Sequence, residues 1–333
     1  MSGYHSTTLF QHGNTDTPSY LPRNNPLRRV TLLLLFLLSS ASPLISQAER
    51  GILVREAVLY LSPDTGVQKL GSVGRGREVV IIEKSRGWLH VFADVGERRN
   101  ISGWILDKGV VRNSTADGDR ILFGEAADSE WEASRRGGRR SADRDAFRLY
   151  FQIAEFFPNS PLAAEALYRA ADIQWQLDAE DVRTRPSAKQ RDPALRAKID
   201  EELMRRVMKK FPGTKWADLA AFHLIDNKLC GDWEGQPKCP ERESEMYGEY
   251  ARKRPQSPKA PEALYNAAWR QAALIQIYKG QNNPEHAERA KQKATSLAQR
   301  IVAQYAQSDW SARGRRLIFL VEQNVAIYGN VVE

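Results

Sequence analysis

The chain has 333 residues, 42% of them apolar and 27% charged, with a formal net charge of +8. That balance belongs to folded chains and excludes a disordered polymer, and the length holds two or three ordinary domains. The charge favours solubility and weak attraction to anionic surfaces, and it specifies no partner.

At the N-terminus, Arg23, Arg28 and Arg29 precede VTLLLLFLLSS (30–40), and small residues end in Ser-Gln-Ala at 46–48. Basic, apolar and small residues in this order predict a secretory signal over 1–48, cleaved after Ala48 or, failing that, after Ala41. An uncleaved anchor is the competing reading. The uninterrupted apolar run, Val30 to Leu38, is well short of the roughly 20 residues of a spanning helix, so no integral span is expected once the signal is removed. No cysteine lies near either cleavage position, which argues against lipidation. Without residues 1–48 the net charge is +6, and an exported chain is not expected to meet nucleic acid.

From Val54 to Val111 the text breaks into LVREAVLYL, QKLGSV, REVVIIEK, WLHVFADV, ISGWIL and GVV, short runs rich in Val and Ile with turn residues between them. They predict a small all-β domain over 49–113, near the lower size limit for an independent core. GSVGRGRE (71–78) lacks the Lys-Ser/Thr ending of a phosphate loop and is expected to be a hairpin turn. The order of Ser62-Pro63, Leu70-Gly71, Arg75-Gly76, Gly87-Trp88 and Gly103-Trp104 resembles the bacterial SH3-like (SH3b) family. That resemblance implies a small β-barrel that binds cell-wall peptides or docks a protein. Tyr60, Trp88, Phe92 and Trp104 are its candidate ligand groove, because an aromatic face with a polar edge suits peptide backbone and sugar alike. The competing reading has both tryptophans holding the barrel together from inside.

Residues 114–142 shift to Asp, Glu, Arg, Gly and Ser and include RRGGRR at 135–140. A charged linker is expected here, its arginine pairs either solvated or touching an acidic surface.

Beyond it one phrase recurs: FPNSPLAAEALYRAA at 157–171, KKFPGTKWADLAAFHL around Pro212, RKRPQSPKAPEALYNAA around Pro255 and AQYAQSDWSARGRRLIF around Ala306, at intervals of 43 to 54 residues. Two positions past each anchor stand Ser160, Thr214, Ser257 and Ser308, hydroxyl residues that can cap a helix. Pro161 and Pro258 follow, where a first helical turn tolerates proline. Apolar residues one and five positions before the anchor mark a preceding helix, as at Ile153 and Phe157 or Val207 and Phe211. Each unit therefore reads helix, turn, helix, and such units must stack to bury their stripes. The phrase resembles the tetratricopeptide-like (TPR-like) superfamily, in particular periplasmic members of the outer-membrane β-barrel assembly machinery and Tol-associated division coordinators. It implies an all-α helical-repeat solenoid over 143–329 that presents a concave surface to a peptide or partner protein. Tyr168, Trp175, Trp269 and Tyr278 are the candidates to line that surface, against the alternative that they are core.

The only cysteines, Cys230 and Cys239, lie in LCGDWEGQPKCPE (229–241). An oxidising compartment lets them pair, and closing so short a loop contributes about 2.5 kcal/mol in the chain-entropy model. After signal cleavage His90, His223 and His286 remain on three different elements, without H-E-x-x-H, G-x-S-x-G or P-loop. His223, whose counterparts in the sister repeats are Arg169 and Asn266, is expected at the surface. No catalytic, cofactor-binding or metal-ligating residue is expected, although a Ser/His/Asp site assembled from distant segments would leave no motif.

The sequence thus predicts a multi-domain β + α protein, an SH3-like barrel followed by a TPR-like solenoid, acting as a periplasmic, non-catalytic adaptor of the cell envelope. Its expected partners are an envelope protein or peptide and peptidoglycan. A narrower alternative is a component of the outer-membrane assembly or division apparatus. An alternative from another class is a wall-modifying enzyme.

Overall fold

A computed structural model describes residues 48–96, 99–190 and 193–329. The expected signal segment lies outside the described residues except for Ala48, and the first strand begins at Glu49. Seven antiparallel strands follow: β1 (Glu49–Leu53), β2 (Ala57–Tyr60), β3 (Lys69–Val73), β4 (Glu78–Ser85), β5 (Trp88–Asp94), β6 (Asn100–Leu106) and β7 (Val110–Arg112). They form one sheet in the order β3-β2-β6-β5-β4-β1-β7. Strand side chains alternate between faces, and the inward set is aliphatic: Leu59, Val79, Ile81, Leu89, Val91 and Ile105 are all in the sheet's own core. The two Gly-Trp steps each have a backbone reason. Gly87 (φ +86°) follows Arg86 (φ +39°) in the two-residue turn between the paired Ser85 and Trp88. At Gly103 a Cβ would stand 2.8 Å from Leu59 Cδ2 and 3.1 Å from the Tyr60 carbonyl oxygen, so β2 and β6 approach there only over a glycine.

GSVGRGRE does turn the chain, but it makes no hairpin. β3 pairs with β2, whereas β4 pairs with β1 and β5. The turn is held from elsewhere, by the helices.

Nine α-helices lie among the described residues: α1 (Gly118–Ser134), α2 (Ala142–Phe156), α3 (Ala163–Thr184), α4 (Glu202–Lys210), α5 (Lys215–His223), α6 (Lys238–Lys253), α7 (Ala260–Gly280), α8 (Pro284–Gln304) and α9 (Asp309–Glu322). The first corrects the expectation of a linker. α1 occupies most of 114–142, and its buried face is a narrow one of Leu122, Ala126 and Ser129. Ile52, Val54 and Val111 from the sheet meet Leu122 and Ala126 of α1 and Leu149, Tyr150 and Ile153 of α2 in one core. Polar contacts close its edge. Arg55 and Arg75 both donate to the Glu125 carboxylate of α1, and Arg148 Nε of α2 donates to the Arg75 carbonyl at 3.1 Å. Gly76 (φ +73°) sits against α2, where a Cβ would be 2.7 Å from Arg148 Cβ and 3.2 Å from the Leu149 nitrogen. The sheet is therefore seated on the helices.

From α2 to α5 and from α6 to α9 each helix packs on its chain neighbours, α3 and α7 also touch the second helix along, and α5 meets α6 through side chains, with the Tyr250 hydroxyl donating to the Asp218 carbonyl at 2.8 Å. Thr214 and Ser308 cap α5 and α9, accepting from Ala217 N and Trp310 N at 3.2 Å each. Ser160 and Ser257 act one turn earlier than expected. Their hydroxyls accept from Leu162 N (3.1 Å) and Lys259 N (3.2 Å), and their carbonyls from Ala163 N and Ala260 N, where α3 and α7 begin. Pro161 and Pro258 consequently lie in a tight turn ahead of the helix rather than inside its first turn.

Two side-chain clusters pin the polar inserts and helices. Cys230 and Cys239 stand at disulfide distance, with Cα atoms 6.0 Å apart, which fits an oxidising compartment. Beside them Glu243 of α6 is almost wholly buried. It pairs with Arg270 Nε of α7 at 2.7 Å and accepts from Cys230 N at 2.7 Å and Trp233 Nε1 at 3.4 Å. Elsewhere Glu155 of α2 accepts from Arg206 (2.5 Å) and Lys210 (3.0 Å) of α4. Partial burial works against the Glu155 charge, but the Lys210 hydrogen bond and the Arg206 and Lys210 charges prevail and hold its carboxyl below the usual carboxylate range.

Removing one partner of a buried pair strands the other charge, so Glu243→Ala is expected to cost roughly 3–5 kcal/mol in denaturant unfolding. Adding Arg270→Met recovers only part of that loss, because Cys230 N and Trp233 Nε1 still lack their acceptor. Gly76→Ala, strained in φ and overpacked against α2, is expected to cost about 1–3 kcal/mol; an unchanged Tm would refute the seating of this turn on α2. Because the folded-state value of Glu155 is depressed, its contribution is complete above the ordinary carboxylate range and is lost as pH falls through the folded value. Wild type and Glu155→Gln should differ by roughly 0.5 kcal/mol at neutral pH, after solvent screening, and converge once pH has fallen below the depressed folded value.

Candidate functional site

Because the core-facing residues of β5 are Leu89, Val91 and Ala93, its alternate residues Trp88, His90 and Phe92 point to the outer face. β6 sets Ser102, Trp104 and Leu106 opposite Phe92, His90 and Trp88 respectively, and β2 sets Tyr60 opposite Trp104. The four aromatic residues singled out in the sequence thus share one face. The tryptophans are half-buried there and do not belong to the aliphatic core, which removes the reading in which they hold the sheet together from inside. His90 joins them. Its ring stacks on Trp104 with centroids 4.9 Å apart and planes 13° from parallel, while Tyr60 meets Trp88 edge-on at 5.6 Å. Ser102 Oγ lies 2.8 Å from His90 Nε2 and fixes the imidazole. Phe92 and Leu106 are 44% and 45% exposed. The result is an aromatic platform on the outer face, with rings set at different angles and hydroxyl edges, suited to packing on a sugar or peptide and bonding its polar rim.

The repeat aromatics are dispersed. Trp175 is buried in the core that α3 shares with α4 and α5, and Tyr278 in the core around α7 and α8. Tyr278 donates to Glu241, and burial together with that carboxylate pushes its phenol up to about 12. Trp269 packs on Trp233 of the cysteine loop at 5.5 Å. Tyr168 is partly exposed, 5.4 Å from Trp216, with burial raising its phenol above the ordinary range. These four do not form one continuous lining. His223 corrects the expectation of a surface residue: it is wedged between Tyr168 and Trp175, with Nε2 3.3 Å from the Tyr168 hydroxyl and 3.2 Å from Asp172 Oδ1.

What the helices do enclose is a groove of about 770 Å³ between α2, α3 and α4, floored by Phe147, Phe151, Trp175, Leu203 and Met204. Asp178, Asp181, Asp200 and Glu202 stand around it with Arg185 and Lys198. Only Trp175 of the sequence candidates reaches this groove. Phe147 and Phe151, one turn apart on α2, were visible as a helical apolar pair, yet nothing in the sequence distinguished them from core. Among the described residues no three His, Cys, Asp or Glu side chains come together as metal ligands would, and no helix is long and apolar enough to cross a membrane.

No family model matches the chain. No curated protein matches it either. Among solved structures it is similar to a chain described as "DHF58 filament", at 17% identity over 62% of this chain and 91% of that one, with a TM-score of 0.26. A second, "DHF79 filament", is 16% identical over 60% of this chain and 96% of that one, with a TM-score of 0.24. Likenesses this weak carry no argument for fold or function.

Proposed function

We propose that the chain is an exported, non-catalytic adaptor of the bacterial cell envelope, resident in the periplasm. In this reading the seven strands are an SH3-like barrel that engages cell-wall material, and α2 to α9 are a TPR-like solenoid that holds a partner protein or peptide. The observation that carries it is the outer face of the sheet, where Tyr60, Trp88, His90, Phe92 and Trp104 gather away from the core. Aromatic side chains gathered on an outer face while aliphatics fill the inner one, with Phe92 and Leu106 well exposed among them, make the kind of apolar surface with polar edges that marks binding sites. The cysteine pair and the signal-like N-terminal text support export. Support for the repeat reading comes from the recurrent hydroxyl-capped turns and from helices that rest on their chain neighbours.

A narrower reading makes the protein a component of outer-membrane assembly or division that handles partner chains. The groove between α2, α3 and α4 favours it, since an apolar floor with a charged rim suits an amphipathic segment.

The test is sedimentation of the unit from Ala48 onward with isolated peptidoglycan, kept whole because sheet and helices share a core. Wild type is expected in the pellet. Phe92→Ala with Trp104→Ala should weaken binding at least about tenfold, as loss of a central aromatic contact does. Undiminished wall binding by a folded double variant, or wild type that stays in the supernatant, refutes the assignment of this face.

A further inference from the structure

The one segment that sequence composition marked as a linker ends in a defined structure. α1 closes at Ser134, the chain turns through RRGGRR, and α2 starts at Ala142. The loop is tight: Arg135 N donates to the Glu132 carbonyl, Gly138 N to the Arg135 carbonyl at 3.1 Å and Ala142 N to the Arg139 carbonyl at 3.2 Å. A Cβ on Gly138 would fall 1.8 Å from the Glu132 oxygen, so the loop folds back onto the helix end only with glycine there. The backbone that carries its arginines is therefore fixed.

They are of two kinds. Arg135 pairs with Glu132 at 3.0 Å, and Arg139 pairs with Asp145. Arg136, Arg140 and Arg144 are exposed and make no ion pair among the described residues; of the acids near them in sequence, Glu132 and Asp145 are taken by Arg135 and Arg139, and Asp143 accepts from the Arg144 backbone N–H at 2.8 Å. The same end of the α1–α2 hairpin carries Trp131 in the last turn of α1. Its ring is 58% exposed, and the Arg135 guanidinium lies over it at 4.4 Å. An exposed indole at the end of a hairpin whose loop and following turn carry three arginines without an ion pair is the residue set of an interfacial anchor. The indole takes the boundary between headgroup and acyl chain, and arginines reach phosphates bidentately while their stems remain in apolar surroundings.

We propose that this end of the α1–α2 hairpin, Trp131 with Arg136, Arg140 and Arg144, docks the protein on an anionic phospholipid surface. The assignment is independent of the aromatic face of the sheet. An acidic protein would satisfy the charges as well, but the exposed indole favours lipid, where its amphipathic ring has a seat.

The experiment is flotation of the unit from Ala48 onward, compact by itself and free of the apolar run at 30–38, with two kinds of vesicle. Phosphatidylcholine vesicles are compared with phosphatidylcholine–phosphatidylglycerol vesicles. Binding is expected to the second alone and to weaken as salt shortens the screening length. Each arginine near an anionic surface contributes about fivefold, so Arg136→Ala, Arg140→Ala and Arg144→Ala together should weaken binding roughly a hundredfold, whereas the triple Lys variant should retain most of it. Trp131→Ala should weaken binding severalfold with unchanged circular dichroism. Equal or no binding to the two vesicles, or a triple Ala variant that binds like wild type, overturns the proposal. So does retention on heparin without vesicle binding, which would assign the patch to a polyanionic macromolecule.

Discussion

Ile52, Val54 and Val111 turn away from the sheet's own interior and enter a core completed by Leu122 and Ala126 of α1 and by Leu149, Tyr150 and Ile153 of α2. A sheet of some sixty residues is close to the size at which a core ceases to sustain itself. Each fully buried aliphatic side chain contributes about 1.5–3 kcal/mol, so these three matter on the scale of a small domain's whole stability. Glu125 adds direction to this contact, because it accepts from Arg55 in the β1–β2 connection and from Arg75 in the β3–β4 turn and fixes how α1 lies on the sheet. Everything downstream inherits its placement from that contact. The aromatic platform of β5 and β6 is fixed relative to α2, and α2 begins the helical succession that runs to α9.

The same logic governs a polar connection between helices. The cysteine loop between α5 and α6 is polar in composition, yet it has its own buried centre in Glu243, with Arg270, Cys230 N and Trp233 Nε1 as partners. The Arg270 guanidinium lies over the Tyr247 ring at 4.5 Å, so its charge is shared between a carboxylate and an aromatic face. The cysteine pair restricts the unfolded chain, and the Glu243 cluster specifies which folded arrangement the loop takes. An insertion of this kind extends the core around α7 instead of leaving a mobile excursion from it.

How much of this was legible follows from what each pattern encodes. Strands of β-branched residues between turn residues announced the sheet, and hydroxyl residues in a recurring phrase announced four helix starts to within a turn, as caps at Thr214 and Ser308 and as turn residues at Ser160 and Ser257, because both signals are local. α1 escaped notice because its buried stripe is Leu122, Ala126 and Ser129 in a polar text, a face that needs a partner sheet before it counts as apolar. On β5 both faces are hydrophobic, and composition does not say whether Leu89, Val91 and Ala93 or Trp88, His90 and Phe92 turn inward. Register against β4 and β6 decides it. His90 and His223 were invisible as site residues for the same reason: the partners that give them meaning, Trp104 and Ser102 for one and Asp172, Tyr168 and Trp175 for the other, come from different elements.

α1 ties two surfaces into one geometry. Its first turns hold the sheet through Leu122, Glu125 and Ala126, and its last turn carries Trp131. Seventeen residues of helix span about 25 Å at 1.5 Å per residue, and a helix packed along its length on α2 bends little over that distance. A surface engaged by the hairpin end therefore sets the height and orientation of the aromatic platform above it. With a flexible linker, two weak contacts would each search independently. With α1 as a rigid strut they reinforce one another only for targets whose spacing matches the helix, and for those the second contact forms at high effective concentration. On the proposed reading, selectivity between targets is then a property of helix length and docking angle rather than of either contact alone.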